Sequence, residues 1–462
     1  MNIGDGVQSH QLPERSYLSD DSLNIGISSS TLKDRIQSIN EHLPALCEPH
    51  SDKYFHRTLQ TLEGDGLNPW IKAQVFVRKG PGEIGGIEEA LAMLLKYSKI
   101  QEYGGSVHAL PEGSSYDPRE TVMVFEGKAQ DLVLLETLYL GAISGETTRL
   151  NEGISKVNLE LAQDTMEQVR TLIGERPIIY GGARHWSYRD DVDISAAAFA
   201  GGASECSTDN GASPFQKEGV GTVPHFLENI YAWRYGPDNA VVEATLAFNR
   251  HMPPNVPRVS LIDYNNRELD DALAVAEALE GRLQAVRVDT CGENLAQGAL
   301  ISADCPGAME WRSKGIDLPD AKDPEAKYWY GNGVTVSGVY ALRKHLDEHG
   351  YTDVKIILSS GFADPKKVAA FIAAEERLET TLFDSLLVGA ITKPCRAATM
   401  DVIAVGDSPD SLVPVSKVGR PESPNDRLVP LLQSGKVLNY PKESQSSELT
   451  LGGEGVPWVQ SD

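Results

Sequence analysis

Val354-Lys-Ile-Ile-Leu-Ser-Ser-Gly361, a helical pattern over Pro365–Ala374, and then Asp384-Ser-Leu-Leu-Val-Gly-Ala390 form the stretch that decides the fold. Two short apolar runs, each followed by small residues, flank one helical segment. Apolar strands joined by helices pair in parallel, with both faces of the sheet covered. The same rhythm extends outward, with apolar runs at Pro177–Tyr180, Val259–Ile262 and Gln284–Val288 and helical segments at Glu268–Leu279 and Val334–His349. The number and span of these units predict an α/β protein built on an irregular (β/α) barrel, more than an open sheet. Chemistry in such barrels is carried at the C-terminal ends of the strands, which here read Ser359-Ser-Gly361 and Gly389-Ala390.

Upstream the pattern changes. Ala73–Val77 and Glu120–Phe125 read as strands and Ile87–Tyr97 as an amphipathic helix, followed by helical patterns over Asp131–Ile143 and Ile154–Ile173. Strands and helices in this arrangement predict an N-terminal α+β domain. The expected division is a variable extension over residues 1–50 with one helix near Ser30–Leu43, then the α+β domain and linking helices over 51–175. The barrel follows over 176–405, and a Pro/Ser/Gly-rich C-terminal segment over 406–462. The lead-in reads as partly mobile and the last roughly 20 residues as poorly ordered. Residues 290–332 hold few apolar runs and read as a functional loop or insertion.

Composition sets limits. The chain has 462 residues, 42 Lys+Arg against 66 Asp+Glu, and a net charge of −24. With no basic block and a field that repels phosphate, nucleic-acid binding is not expected. If the substrates are anionic, the site must be locally basic against that field. No apolar run reaches about 18 residues and no charged-then-apolar leader is present, so the chain reads as a soluble cytoplasmic protein with no membrane partner. The five cysteines form no CxxC pair or His/Cys ligand spacing; neither disulfides nor dedicated metal ligands are expected.

Two segments compete as site markers. Gly80-Pro-Gly82-Glu-Ile-Gly85 fits a dinucleotide fingerprint in form, but no parallel strand and acidic residue follow at the required distance, so it reads as a turn. Gly221-Thr-Val-Pro-His225 reads as a turn between a short apolar strand and an amphipathic helix, lifting a hydroxyl and an imidazole to the rim of the fold.

That second segment resembles the site segment of nicotinate phosphoribosyltransferases, and others match in the same order. Before it come Asp52-Lys-Tyr54, Glu126-Gly127, Leu134-Leu-Glu136-Thr137, Gly182-Ala-Arg184-His185 and Gly201-Gly-Ala-Ser204. After it come Leu261-Ile-Asp263, Val286-Arg-Val-Asp289, Ser359-Ser-Gly361, Asp384–Ala390 and Pro414-Val-Ser-Lys417. The set resembles the type II phosphoribosyltransferases over roughly residues 50–420, closest to their nicotinate-specific branch.

The resemblance implies transfer of phosphoribosyl from phosphoribosyl pyrophosphate (PRPP) to nicotinate, with magnesium and with ATP as co-substrate, in a homodimer with a shared active site. It implies a 5′-phosphate cradle at Ser360, Gly361, Gly389 and Ala390, where the family often has threonine in place of Ala390. Arg287 with Thr222 would take the acceptor carboxylate, and Tyr54 would stack on the ring from the partner subunit. Ser204 would bind substrate. Arg184, with Arg149 behind it and Arg78-Lys79 nearby, would neutralise pyrophosphate. Asp263 and Asp289 would stabilise the cationic ribose or hold magnesium through water and substrate oxygens, and His225 would accept a phosphoryl group from ATP. His185 reads as a binding or structural group.

Each residue also has an ordinary reading: aspartates after strands cap helices, glycines make turns, and an arginine at a barrel end pairs with a carboxylate. Asp289-Thr-Cys-Gly-Glu293 departs from the family's usual Asp-Ser-Gly-Asp by one extra residue, which shifts the loop carboxylate. A relative using quinolinate or nicotinamide, and a non-catalytic PRPP sensor, stay open.

Overall fold

The computed structural model describes residues 31–441; the expected mobile lead-in before Thr31 and the last stretch of the C-terminal segment lie outside the described residues. The chain begins there with the helix Leu32–His42, capped by the Thr31 side chain, which accepts from the Asp34 N–H.

All five strands of the barrel rhythm are present within a residue or two of their expected bounds. With the two-residue strand Glu205–Cys206 they form a six-stranded parallel sheet. Its order is Glu205–Cys206, Ile178–Tyr180, Ser385–Val388, Lys355–Leu358, Ala285–Val288, Val259–Leu261. The two edge strands do not pair with each other, so the barrel is open on one side.

A second, seven-stranded sheet is centred on Trp70–Val77, which pairs antiparallel with Ala398–Gly406 on one side and Thr121–Lys128 on the other. That pairing is incompatible with a dinucleotide-binding βαβ unit around Gly80–Gly85. It also corrects the expected division. The expected barrel span of 176–405 takes in residues 398–405, yet the strand Ala398–Gly406 belongs to this sheet, and Val429–Gln433 joins it beside Ser106–Ala109. The physical reason is the connection: Gly389–Ala397 holds no helix to carry the chain back across a parallel sheet.

After the short helix Ala129–Leu132 and a 3-10 turn, the two long helices are shifted from their expected bounds. They run Glu136–Glu152 and Leu159–Ile173, because Gly153 at φ 64° stops the first and the Asn158 side chain caps the second.

Two hydrophobic cores result, one around each sheet. The helix His225–Tyr235 lies between them: Phe226, Leu227, Ile230 and Tyr231 pack into the N-terminal core and Ala232 into the barrel core. Phe226 through Ala232 are all buried, so this helix is enclosed rather than amphipathic. Each large apolar side chain buried there contributes about 1.5–3 kcal/mol, which anchors the helix start where the site forms. The 290–332 excursion is also packed, with Trp311, Tyr328, Trp329 and Tyr330 buried against the barrel core.

Candidate active site

The C-terminal ends of the barrel strands face the seven-stranded sheet of the same chain across a cavity of about 500 Å³. Its walls include seven cationic side chains, Arg78, Lys79, Arg184, Arg287, Lys393, Lys417 and Arg420, and three carboxylates, Glu136, Asp289 and Asp401. In a chain of net charge −24, this is the local basic field that an anionic substrate requires.

No strand runs into Gly221–His225. Between Cys206 and Gly221 the chain forms the short helix Asp209–Ala212, a 3-10 turn and a loop. The segment spans the open side of the barrel instead. The Val220 N–H donates to the Cys206 carbonyl at one edge strand, 2.9 Å away. The His225 imidazole meets Asp263, just beyond the other edge strand, with Nε2 2.9 Å from Oδ1. Glycine is required at 221 because the segment crosses the start of the helix Lys53–Gly64: a Cβ there would sit 2.4 Å from the Tyr54 nitrogen. Gly221→Ala is therefore expected to cost roughly 1–3 kcal/mol through overpacking. A urea melt checks it, and an unchanged midpoint would show that the two segments separate freely.

Asp263 is fully buried, and both its oxygens are taken, one by His225 and the other by the Lys417 ammonium. Burial pushes its carboxyl upward, but Lys417 and His225 outweigh burial and hold it well below the usual range. Burial also lowers the His225 pKa, Lys417 adds to that, and Asp263 opposes it. The imidazole Nδ1 has no hydrogen-bond partner among the described residues. Asp263 does not line the cavity; it orients His225, so the expected contact of Asp263 with ribose or magnesium is corrected.

Arg287 projects from the strand Ala285–Val288 and is 6% exposed. It donates to the Thr222 hydroxyl (2.9 Å) and the Val223 carbonyl (3.2 Å), while its Nε is buried with no partner. Thr222 is half-buried and its hydroxyl is the acceptor for this guanidinium.

Opposite, Arg184 donates to the Tyr54 hydroxyl (2.8 Å) and to Glu136 (3.0 Å). Burial pushes the Glu136 carboxyl up and Arg184 pulls against it. The Thr137 hydroxyl donates to the Asp52 carboxylate at 3.0 Å, so three separated motifs of the sequence meet here. Tyr54 lines the cavity of its own chain, whereas the resemblance places it in a partner's site. Arg149 is taken by Glu146 and Asp190 and lies over Trp186, away from the cavity. His185 lines the cavity, and burial with the Arg184 charge pushes its pKa down to about 3.

Asp289 follows its strand directly and accepts from the Ser359 hydroxyl at 2.9 Å. Ser360 and Gly361 both take positive φ, 70° and 87°, a turn that favours glycine. The Lys367 ammonium fixes it by donating to the Ser360 carbonyl at 2.8 Å. Ser360, Gly361, Gly389 and Ala390 all line one side of the cavity. Ser204 does not: its N–H bonds the Ile178 carbonyl and its hydroxyl accepts from the Ile178 N–H, at the opposite end of the barrel strands. Its expected substrate contact is corrected; it secures a strand start.

Five charged groups of the cavity carry no assignment from the sequence: Glu136, Lys393, Lys417, Asp401 and Arg420. Glu136 and Lys417 stood inside quoted motifs, but nothing local marked them as partners of Arg184 and Asp263. Asp401 and Arg420 carried no signal, since both lie in segments that reach the cavity only through the second sheet.

Known proteins share this architecture. Residues 52–145 match the family model described as quinolinate phosphoribosyl transferase, N-terminal domain. The structure of nicotinate phosphoribosyltransferase from Vibrio cholerae is similar at TM-score 0.55 and 13% identity, over 80% of this chain and 88% of that one. That from Porphyromonas gingivalis is similar at TM-score 0.51 and 14% identity, over 86% of this chain and 97% of that one. This chain shares with those two structures its fold, an N-terminal domain joined to a barrel-like α/β domain. The domain match and the shared fold support the family resemblance carried by the sequence motifs. Among the described residues no helix is long and apolar enough to cross a membrane.

Proposed function

We propose that this protein is a nicotinate phosphoribosyltransferase that joins nicotinate to PRPP, giving nicotinate mononucleotide and pyrophosphate, with ATP hydrolysed alongside. The observation that carries the reading is Arg287: a buried guanidinium at the cavity wall with Nε unpartnered. A buried donor without a partner is costly, and a ligand carboxylate supplies the acceptor. Nicotinate brings one carboxylate, whereas quinolinate brings two and nicotinamide none.

Tyr54 offers its ring to the pyridine, and Ser360, Gly361, Gly389 and Ala390 offer backbone N–H groups to the 5′-phosphate. Arg184, Arg78 and Lys79 oppose the pyrophosphate charge. Asp289 keeps one oxygen free of Ser359, and Asp401 has a buried oxygen with no partner. Among the described residues no group of three or more ligating side chains could hold a metal by itself. These two carboxylates therefore fit magnesium that arrives with the substrate and neutralises its phosphates. The resemblance also implies a homodimer; because Tyr54 lines its own chain's cavity, its contribution does not require a partner.

His225 supports the ATP-coupled step. Nε2 bonded to Asp263 leaves Nδ1 as the nucleophile, and a phosphoryl group on it would sit at the start of an 11-residue helix, where negative charge is favoured. His225→Ala is expected to abolish ATP stimulation while sparing basal transfer. Because its pKa is lowered, the imidazole stays neutral below the ordinary value of about 6.5, so stimulation should hold as pH falls through that value. Unchanged stimulation in the variant removes the phosphohistidine.

The deciding assay is product mass from nicotinate, PRPP and magnesium, with and without ATP, with quinolinate and nicotinamide as competing acceptors. Nicotinate mononucleotide supports the proposal. Binding of PRPP with no product from any acceptor sinks it and favours a sensor.

A further inference from the structure

Glu293 stands at the cavity rim among three arginines. Its carboxylate lies 2.6 Å from Arg119, 3.5 Å from Arg78 and 3.5 Å from Arg420. Those arginines come from the end of the strand Trp70–Val77, the turn before Thr121–Lys128 and the C-terminal segment after Lys417. A structural ion pair does not need such convergence, because one guanidinium satisfies a carboxylate with two parallel bonds. Here the fit is poor. Only the Arg119 contact has hydrogen-bond length, and Glu293 Oε2 is buried without a hydrogen-bond partner.

Two of the arginines, Arg78 and Arg420, are also held independently of Glu293. Arg78 donates to the Thr399 hydroxyl at 3.2 Å, and Arg78 and Arg420 both lie over the Phe76 ring, at 5.8 and 5.6 Å. Asp401 is buried beside this pair, and the cluster still carries more positive than negative charge. Arg78 and Arg420 open onto the cavity. The Asn332 side chain donates to the Glu293 carbonyl at 3.1 Å, which holds the backbone in place independently of the carboxylate.

We propose that Arg78, Arg119 and Arg420 form a polyphosphate-binding subsite and that Glu293 is its internal competitor, occupying the arginines until a pyrophosphate group displaces it. A group with terminal oxygens on two phosphorus centres brings more negative charge and more acceptors to the three guanidiniums than the one carboxylate they now share. The competition weakens binding of the pyrophosphate product as well, and so favours its release. The choice of pyrophosphate as the anion rests on the phosphoribosyltransferase reading; the convergence of the arginines does not.

The test is calorimetric titration of the full chain with inorganic pyrophosphate and magnesium, comparing wild type, Glu293→Gln and Arg119→Met. Glu293→Gln is expected to bind pyrophosphate about tenfold more tightly and Arg119→Met about tenfold more weakly, the weight of one charge-assisted contact. Unchanged or weaker binding by Glu293→Gln overturns the proposal. So does unchanged binding by an Arg119→Met protein that melts like wild type. Parallel titrations with PRPP and with ATP identify the source of the group, since only the true ligand gains affinity in Glu293→Gln. Pyrophosphate binding needs no turnover, so the two readings fail separately. A chain that makes no mononucleotide yet gains affinity in Glu293→Gln loses only the acceptor chemistry. One that turns over without that gain loses only the competitor.

Discussion

Replacing Asp263 by alanine is expected to cost about 3–5 kcal/mol of folding stability, because it leaves the Lys417 ammonium buried and unpaired. Asp263 and Lys417 are both buried, 0% and 6% exposed, and Asp263 carries the His225 contact as well. The same change frees the imidazole, so ATP stimulation should vanish with it. A second variant separates the two effects. Asp263→Ala combined with Lys417→Met removes both charges and should recover most of the lost stability without restoring ATP stimulation. If the double variant is no more stable than the single one, the buried pair is not what the single change disrupts.

The pH dependence of this pair has a defined sign. The folded Asp263 pKa is depressed, so its contribution is fully present above the unfolded value of about 3.9 and is lost as pH falls toward the folded one. For Lys417, burial pulls the pKa down but Asp263 and Asp289 outweigh it, so the net shift is upward. Its contribution is present below the unfolded value of about 10.4 and is lost as pH rises through the folded one. The difference between wild type and the double variant in denaturant melts should therefore be flat between these limits and shrink outside them.

Arg287→Ala should raise the nicotinate requirement roughly 100-fold, the loss of a bidentate charge-assisted contact worth up to about 3 kcal/mol. The PRPP requirement should change little, since the phosphate cradle lies on Ser360, Gly361, Gly389 and Ala390. Steady-state kinetics with each substrate varied in turn reads the split. Equal losses for both substrates would mean that Arg287 serves mainly to hold Thr222 and Val223, which it also bonds. Arg287→Lys should recover little, because an ammonium lacks the planar fork that serves Thr222 and a carboxylate together.

Much of the fold is legible in the chain because it rests on local periodicity. The apolar runs at Val354–Leu358 and Ser385–Val388, and the helix Ile87–Tyr97, are found where the residue pattern predicts them. Most expected site residues also meet in one cavity, since a residue that follows a barrel strand must lie at its mouth. Asp289, Ser360, Gly361, Gly389 and Ala390 need no more than that.

The misreadings share a different cause. Ser204 follows glycines, as a site turn does, but it precedes its strand and so faces the opposite end of the barrel. Residues 398–405 fall inside the expected barrel span, and nothing in their own pattern says which sheet takes them. Glu293 looks like a displaced loop carboxylate until Arg78, Arg119 and Arg420 arrive from three other segments. The sequence by itself determined the five main barrel strands, the helices between them and the groups at the strand ends, because those follow from patterns a few residues long. Only the tertiary structure decided that Lys417 neutralises Asp263 across 154 positions and that three arginines share one carboxylate. Such partners are chosen by burial and charge balance in the folded molecule, and no local pattern distinguishes a buried lysine's partner from any other carboxylate.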